Sequence, residues 1–244
     1  MRGRTLIVAA LLVAVVSGCG GDEVADEVTT TAPPTTTRVE QRQLLGHWPM
    51  DDTEPGAIRD ASGRGHGGTR GPEVGVTGES FRFPEITTIP DTNRLATIPD
   101  SPDFAVGGTE FVVSVRVRTT SAGEHNLVQH GQNTVSQFWK IEVNANGDKP
   151  GVAHCTFVGE FDSVGVSVDL RIDDGDWHTV TCRHTSTTTT IDVDGVWASK
   201  DKVTGAIDND QPISIGGKPG CDGLDVECDY FVGELADLRI EWAP

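Results

Sequence analysis

The chain predicts an all-β domain of two antiparallel sheets packed face to face, and three observations carry that expectation. Short runs alternate apolar and polar residues, and each run ends in Gly, Asp or Pro, as antiparallel strands and hairpins do. Nowhere does a 3.6-residue apolar period persist beyond about two turns, so no long helix is expected. The chain also holds 29 Gly, which supply the positive-φ corners that many tight turns need.

Glu110–Thr119 is the clearest strand. Phe111, Val113, Val115 and Val117 share one face, and Ser114, Arg116 and Arg118 share the other. Further strands are expected at Leu44–Met50, Ser80–Phe83, Arg94–Ile98, Asn126–His130, Gln137–Val143 and Val152–Val158. The series continues through Val164–Leu170, Trp177–Arg183, Thr189–Val193, Ile213–Ile215 and Tyr230–Trp242. A dozen short strands with Gly-rich turns make two stacked sheets. Asp194-Gly195 suits a two-residue hairpin, because Gly tolerates the left-handed corner.

Residues 1–18 read as an export signal: Arg2 and Arg4, then an uncharged apolar run from Leu6 to Val16, too short to span a bilayer stably. Val16-Ser17-Gly18-Cys19 resembles the bacterial lipobox, which implies acylation of Cys19 as the mature N-terminus and a palmitate-type membrane anchor. An ordinary signal cleaved nearby is the plainer alternative. Residues 19–43 lack apolar periodicity, and Thr29–Thr37 is dense in Thr and Pro, so this segment reads as an extended spacer. Residues 44–244 remain, roughly 200 residues, enough for one sandwich domain.

Five Cys is an odd number for an exported chain. Assigning Cys19 to lipid leaves Cys155, Cys182, Cys221 and Cys228, enough for two disulfides, with three possible pairings. Cys221 and Cys228 are close enough to staple one loop, and Cys155 and Cys182 lie in strand-like runs, where they could join neighbouring strands. The CxxC spacing of zinc sites is absent. Formal charge is −18, and removal of Arg2 and Arg4 with the signal moves it to −20. So acidic a chain argues against nucleic acid as a partner and against adsorption to anionic lipid.

Trp48-Pro49-Met50-Asp51-Asp52 and Asp60-Ala61-Ser62-Gly63-Arg64-Gly65-His66-Gly67 resemble the opening of laminin-G-like (pentraxin-like) domains of the concanavalin A-like superfamily. Trp177-His178, Val193-Asp194-Gly195, Ile215-Gly216-Gly217 and Gly233–Ile240 match later landmarks in order. The resemblance implies a jelly-roll sandwich, and such domains serve as sugar-binding modules, adhesion domains and accessory domains of enzymes. It also implies a Ca2+ site where the first and last strands meet a loop, at Asp51, Asp60 and Asp237, since a hard cation wants several oxygens. Capping of turns is the simpler role for these carboxylates. Trp48 and Trp177 are expected to fill the space between the sheets.

Catalysis has little support in the sequence. The paired carboxylates of a retaining glycosidase are missing, Glu142 stands alone, and no G-x-S-x-G elbow is present. Recognition is the leading reading: a glycan or an extracellular or envelope protein held by the face of Arg116 and Arg118, with Gln129, His130 and Lys140 nearby. A guanidinium fork pairs with a carboxylate at two points, which suits a carboxylated glycan. Trp197, beside its hairpin turn, is the one Trp free to act as a sugar platform. A scaffold of the cell envelope that binds proteins through rim loops (Asp208-Asn209-Asp210, or the loop closed by Cys221 and Cys228) is the alternative. Oligomeric state is not legible.

Overall fold

The computed structural model describes residues 42–85, 91–105, 110–132, 137–221 and 228–243. The chain runs through β1 (Gln43–Trp48), β2 (Ala57–Ile58), β3 (Gly68–Arg70), β4 (Gly75–Val76) and β5 (Phe81–Phe83). One helical turn, Asp91–Arg94, leads to β6 (Ala96–Ile98), β7 (Glu110–Arg118), β8 (His125–His130) and β9 (Phe138–Val143). Then come β10 (Val152–Val158), β11 (Ser163–Arg171), β12 (His178–His184), β13 (Thr188–Val193) and β14 (Val196–Asp201). β15 (Ile213–Ile215) and the long β16 (Gly233–Ala243) complete the order.

Among the described residues these strands form two antiparallel sheets. The first has the order β14-β13-β12-β7-β16-β5-β4, with β1 also paired to β16. The second has the order β11-β10-β9-β8-β15-β6-β3-β2. The expected all-β, two-sheet jelly-roll sandwich is therefore the observed fold. Alternation decides what goes inside. Val113, Val115 and Val117 of β7, Val180 and Cys182 of β12, and Ile191 and Val193 of β13 are buried. With Trp139, Ile141, Cys155 and Phe157 of the second sheet they belong to one core cluster. Each large apolar side chain so removed from water stabilises the fold by about 1.5–3 kcal/mol.

Three local devices close the structure. Asp194 and Gly195 both have positive φ (52° and 86°), the geometry of the hairpin between β13 and β14. The exposed edge of β1 is covered by the Gly-rich turn rather than by a strand: Ala61 N–H donates to His47 O at 2.7 Å, and Arg64 Nε–H to Leu44 O at 2.8 Å. In β16 the register with β7 shifts between Ala236 and Arg239, and Asp237 takes a positive φ of 49°. This bulge turns both Leu235 and Leu238 inward, although strict alternation would send one of them out.

Four strands lie beyond the expected dozen. β2, β3 and β4 have two or three residues, too few for any period to register. β14 is exposed nearly throughout, so no buried face marks it. The pairings Cys155–Cys182 and Cys221–Cys228 are both formed. The first, however, does not join neighbouring strands. Cys155 lies on β10 and Cys182 on β12, so this disulfide crosses the core and ties the two sheets together.

His184 of β12 is a polar island in that core. Its ring stacks on Phe157 at 4.7 Å, Nδ1 meets Thr189 Oγ1 at 2.7 Å, and Nε2 meets Thr204 Oγ1 at 2.9 Å. Burial without a countercharge pushes its pKa down to about 4. The folded state therefore resists a proton that the unfolded chain accepts near 6.5. Stability is full above that value and is lost as pH falls from 6.5 toward 4, by a sum on the order of 3 kcal/mol. His184→Gln should flatten denaturant midpoints measured between pH 7 and pH 5, relative to the parent. Removing Cys155–Cys182, which closes a separation of 27 residues, should cost about 3–4 kcal/mol in chemical denaturation. The loss should exceed that from removing Cys221–Cys228, separated by 7.

Candidate functional site

The outward face of the first sheet brings together residues from three strands. Pairing sets Arg118 of β7 opposite Glu234 of β16, and Glu234 opposite Arg82 of β5. Residues directly opposite one another point to the same side of a sheet, so the three side chains form a row. Glu234 Oε2 lies 2.8 Å from Arg118 Nη2 and accepts from Ser80 Oγ at 2.7 Å, while Oε1 accepts from Arg82 Nη2 at 3.3 Å. Burial opposes the charge on Glu234, yet the Ser80 and Arg118 bonds outweigh it and lower its pKa. Its side chain is only 10% exposed, against 39% for Arg118 and 63% for Arg82.

Beside this row lies Trp177. The guanidinium of Arg116 sits 4.8 Å from its ring centroid and that of Arg118 4.9 Å, both within cation–π range. Trp177 is half-buried on the outer surface and does not fill the space between the sheets, which corrects the expectation. It precedes β12 with the parity of Thr179 and Thr181, both outward, and not that of Val180 and Cys182. His178 fixes the turn beside it, with Nε2 3.0 Å from Asp174 and Nδ1 2.7 Å from Asp194. Burial disfavours the imidazolium, but these two carboxylates prevail and raise its pKa.

Arg82, Arg118 and Glu234 line an open cleft of about 420 Å³ whose wall also includes Glu85, Gly175 and Gly233. Gly233 has φ 144°, and a Cβ there would come within 2.5 Å of Arg118 O. Only glycine lets β16 approach β7 so closely at the head of the cleft.

Of the residues singled out by sequence, Arg116 and Arg118 do share one surface. Trp197 faces the same side, since it pairs with Asp192 and through it aligns with Thr181 and Ser114, and it is 66% exposed. It stands three strands from β7. Gln129 and Lys140 belong to the second sheet, where they face each other across β8 and β9, and Gln129 is buried. His130 points inward, packed edge-on to Phe104. These three do not join the Arg face. Arg82 and Glu234 were not expected there; they are distant in sequence, and only strand pairing unites them.

The three carboxylates considered for calcium have other partners. Asp60 Oδ1 accepts from His47 N–H at 3.1 Å and Ser62 N–H at 2.8 Å. Its Oδ2 accepts from Ser62 Oγ at 2.7 Å and His66 N–H at 3.0 Å. Burial works against the charge of Asp60, but those bonds prevail and lower its pKa. Asp51 pairs with Arg59 at 3.0 Å, and Asp237 meets His47 Nε2 at 2.7 Å and Arg239 Nε at 3.1 Å. Donors already face these oxygens, and among the described residues no three His, Cys, Asp or Glu cluster to hold a metal ion. This set does not fit Ca2+. Cys19 and the spacer as far as residue 41 lie outside the described residues, and Gln43, expected in the spacer, already pairs with Trp242 as the first residue of β1.

The chain matches the family model Laminin_G_3, of the concanavalin A-like lectin/glucanases superfamily, over residues 90–241. It belongs to that superfamily. Its fold is also similar to that of solved structures of low sequence identity. The binding domain of Paraclostridial Mosquitocidal Protein 1 is 17% identical, with a TM-score of 0.57 over 82% of this chain and 48% of that one. A structure titled for the cell entry of botulinum neurotoxin type C and its interaction with two ganglioside molecules is 12% identical, with TM-score 0.58, covering 82% and 48%. The binding domain of botulinum neurotoxin DC in complex with SialylT is 12% identical, with TM-score 0.57, covering 81% and 47%. This laminin-G-like chain thus spans about half the length of these structures, and the likeness is one of fold. No curated protein matches it. For calcium the expected outcome is plain: calcium chloride or EDTA should leave the melting temperature unchanged, and a calcium-dependent rise would place an ion elsewhere.

Proposed function

We propose that this domain is a non-catalytic recognition module that holds a glycan on the outward face of the first sheet, around Trp177. One observation carries the reading: a surface Trp braced by Arg116 and Arg118, the second of which also lines an open cleft. An aromatic ring gives a flat apolar contact for a sugar face, and fixed guanidiniums supply hydrogen-bond donors beside it. Trp197 extends the same surface from β14, two strands from β12, and so offers a second contact to a longer oligosaccharide. Two solved structures of the same fold name SialylT and ganglioside in their titles, which lends the glycan class support.

A protein ligand is the second reading, and a different observation favours it. β14 ends the first sheet and exposes Val196 and Trp197, an apolar edge of the sort that a scaffold partner covers. We propose further that Cys19 is acylated and that residues 19–43 hold the domain away from the membrane on the outer side. Cys19→Ser should then release the protein from the membrane fraction into the soluble fraction.

A glycan array with purified domain, followed by titration of the best ligand, tests the main reading. Trp177→Ala should weaken that ligand about tenfold or more, with the fold intact by circular dichroism. Trp197→Ala should weaken only longer oligosaccharides. An empty array together with envelope proteins captured through the β14 edge would replace the glycan reading with the scaffold.

A further inference from the structure

We infer that the cleft between β5, β16 and β7 is a carboxylate-binding subsite, and that Arg82 is the residue that receives the ligand's carboxylate. The inference rests on the reading of this face as the docking surface and names the ligand class: an acidic glycan bearing a uronate or sialate carboxyl group.

Glu234 demonstrates the chemistry of the place. Its own carboxylate is held by Arg118, Ser80 and Arg82 at 2.8, 2.7 and 3.3 Å. The strand register thus already converges two guanidiniums and a hydroxyl on one carboxylate. Glu234 is nearly sheathed, and its charge pins one edge of each guanidinium. Arg82 spends a single long contact on it and projects the rest of its donor fork, 63% exposed, into the cleft. A planar fork with free N–H groups binds a carboxylate at two points, with little of its freedom left to lose because one edge is anchored.

Charge agrees with geometry. The molecule carries a net −18, and acidic ligands are repelled by most of such a surface. The cleft wall carries Arg82 and Arg118 against Glu234 and Glu85, and Arg116 stands nearby against Trp177. Within the row the buried Glu234 answers both guanidiniums, and Arg82 keeps its exposed side toward the cleft. A neutral sugar would gain only neutral hydrogen bonds from these donors, whereas a carboxylated one would also set its charge against the exposed fork of Arg82.

The experiment compares ligands that differ only in the acid. The full domain is titrated at low salt with 3′-sialyllactose and lactose, and with trigalacturonate and its carboxyl-reduced counterpart. The expected result is that one acidic member binds about tenfold or more tightly than its neutral twin, with the preference shrinking as salt rises. Arg82→Ala should abolish that preference, Arg82→Lys should restore only part of it, and Arg59→Ala, elsewhere on the surface, should leave it intact. Melting curves check that each variant is folded. Equal binding of both twins, or a preference that survives Arg82→Ala, would overturn the carboxylate subsite and leave the docking face standing. Failure of these and all arrayed glycans to bind would overturn both.

Discussion

The register between β7 and β16 is the constraint on which the rest of the molecule depends. These strands sit at the centre of the first sheet, and their pairing sets Arg118 against Glu234 and Leu235 against Val117. One residue of slip would turn Val113, Val115 and Val117 toward solvent and send Arg116 and Arg118 into the core, where unpaired charge costs far more than any contact returns. Core packing and the Arg face are therefore two readings of the same alternation. The bulge at Asp237 lets β16 serve both partners: before it, Glu234 meets Arg118 and Arg82, and after it, Leu238 and Ile240 pack inward against the core. His47 and Pro49, at the end of β1, hold that bulge through the Asp237 side chain and backbone.

The same logic separates what was legible in the sequence from what was not. Period-two alternation reveals the faces of β7, β12 and β13 without any tertiary information, so Arg116 and Arg118 could be placed on an outer surface directly. Parity also held the answer for Trp177. It stands an odd step from Val180, like Thr179, and therefore faces out; the size of its ring argued for the core and was the weaker signal. His130 shows the converse, since it shares the inward parity of Val128. What alternation cannot supply is which sheet a strand joins. Gln129 and Lys140 read as neighbours of the Arg face, yet β8 and β9 lie in the other sheet. Arg82 and Glu234, 152 positions apart, become neighbours only through long-range pairing. The Cys155–Cys182 bridge teaches the same lesson, because spacing and strand propensity say nothing about whether two strands lie side by side or across a core.

The Asp60–Gly67 turn shows how one motif can be structural while resembling a binding site. Its carboxylate gathers three backbone N–H groups and a hydroxyl, and Arg64 reaches from it to a β1 carbonyl and to Asp103. Those bonds satisfy the free edge of β1 that the sheet would otherwise leave to solvent or to another chain. Oxygens committed to four donors hold a turn; they are a poor start for a cation shell. In a chain this acidic, the count of carboxylates at a spot says little until their partners are counted too.

Polar groups in this sandwich also differ by what surrounds them. His184, enclosed by Phe157 and two Thr hydroxyls, is kept neutral because no carboxylate lies near enough to repay the burial of charge. In His178 and Glu234, nearer the surface, burial also opposes the charged form, but two opposite charges face each group and favour it, carboxylates for His178 and guanidiniums for Glu234. Neutral groups thus sit where the fold must be dry, and paired charges sit where one edge stays wet. At the row Arg82–Glu234–Arg118 the buried Glu234 answers both guanidiniums, and Arg82 keeps its exposed side toward the cleft. An exposed guanidinium of this kind contributes little to folding, since ion pairs at a wetted surface are worth about 0–1 kcal/mol. Its physical consequence is local field and donor geometry at the mouth of a cleft, properties that act on a ligand rather than on the fold.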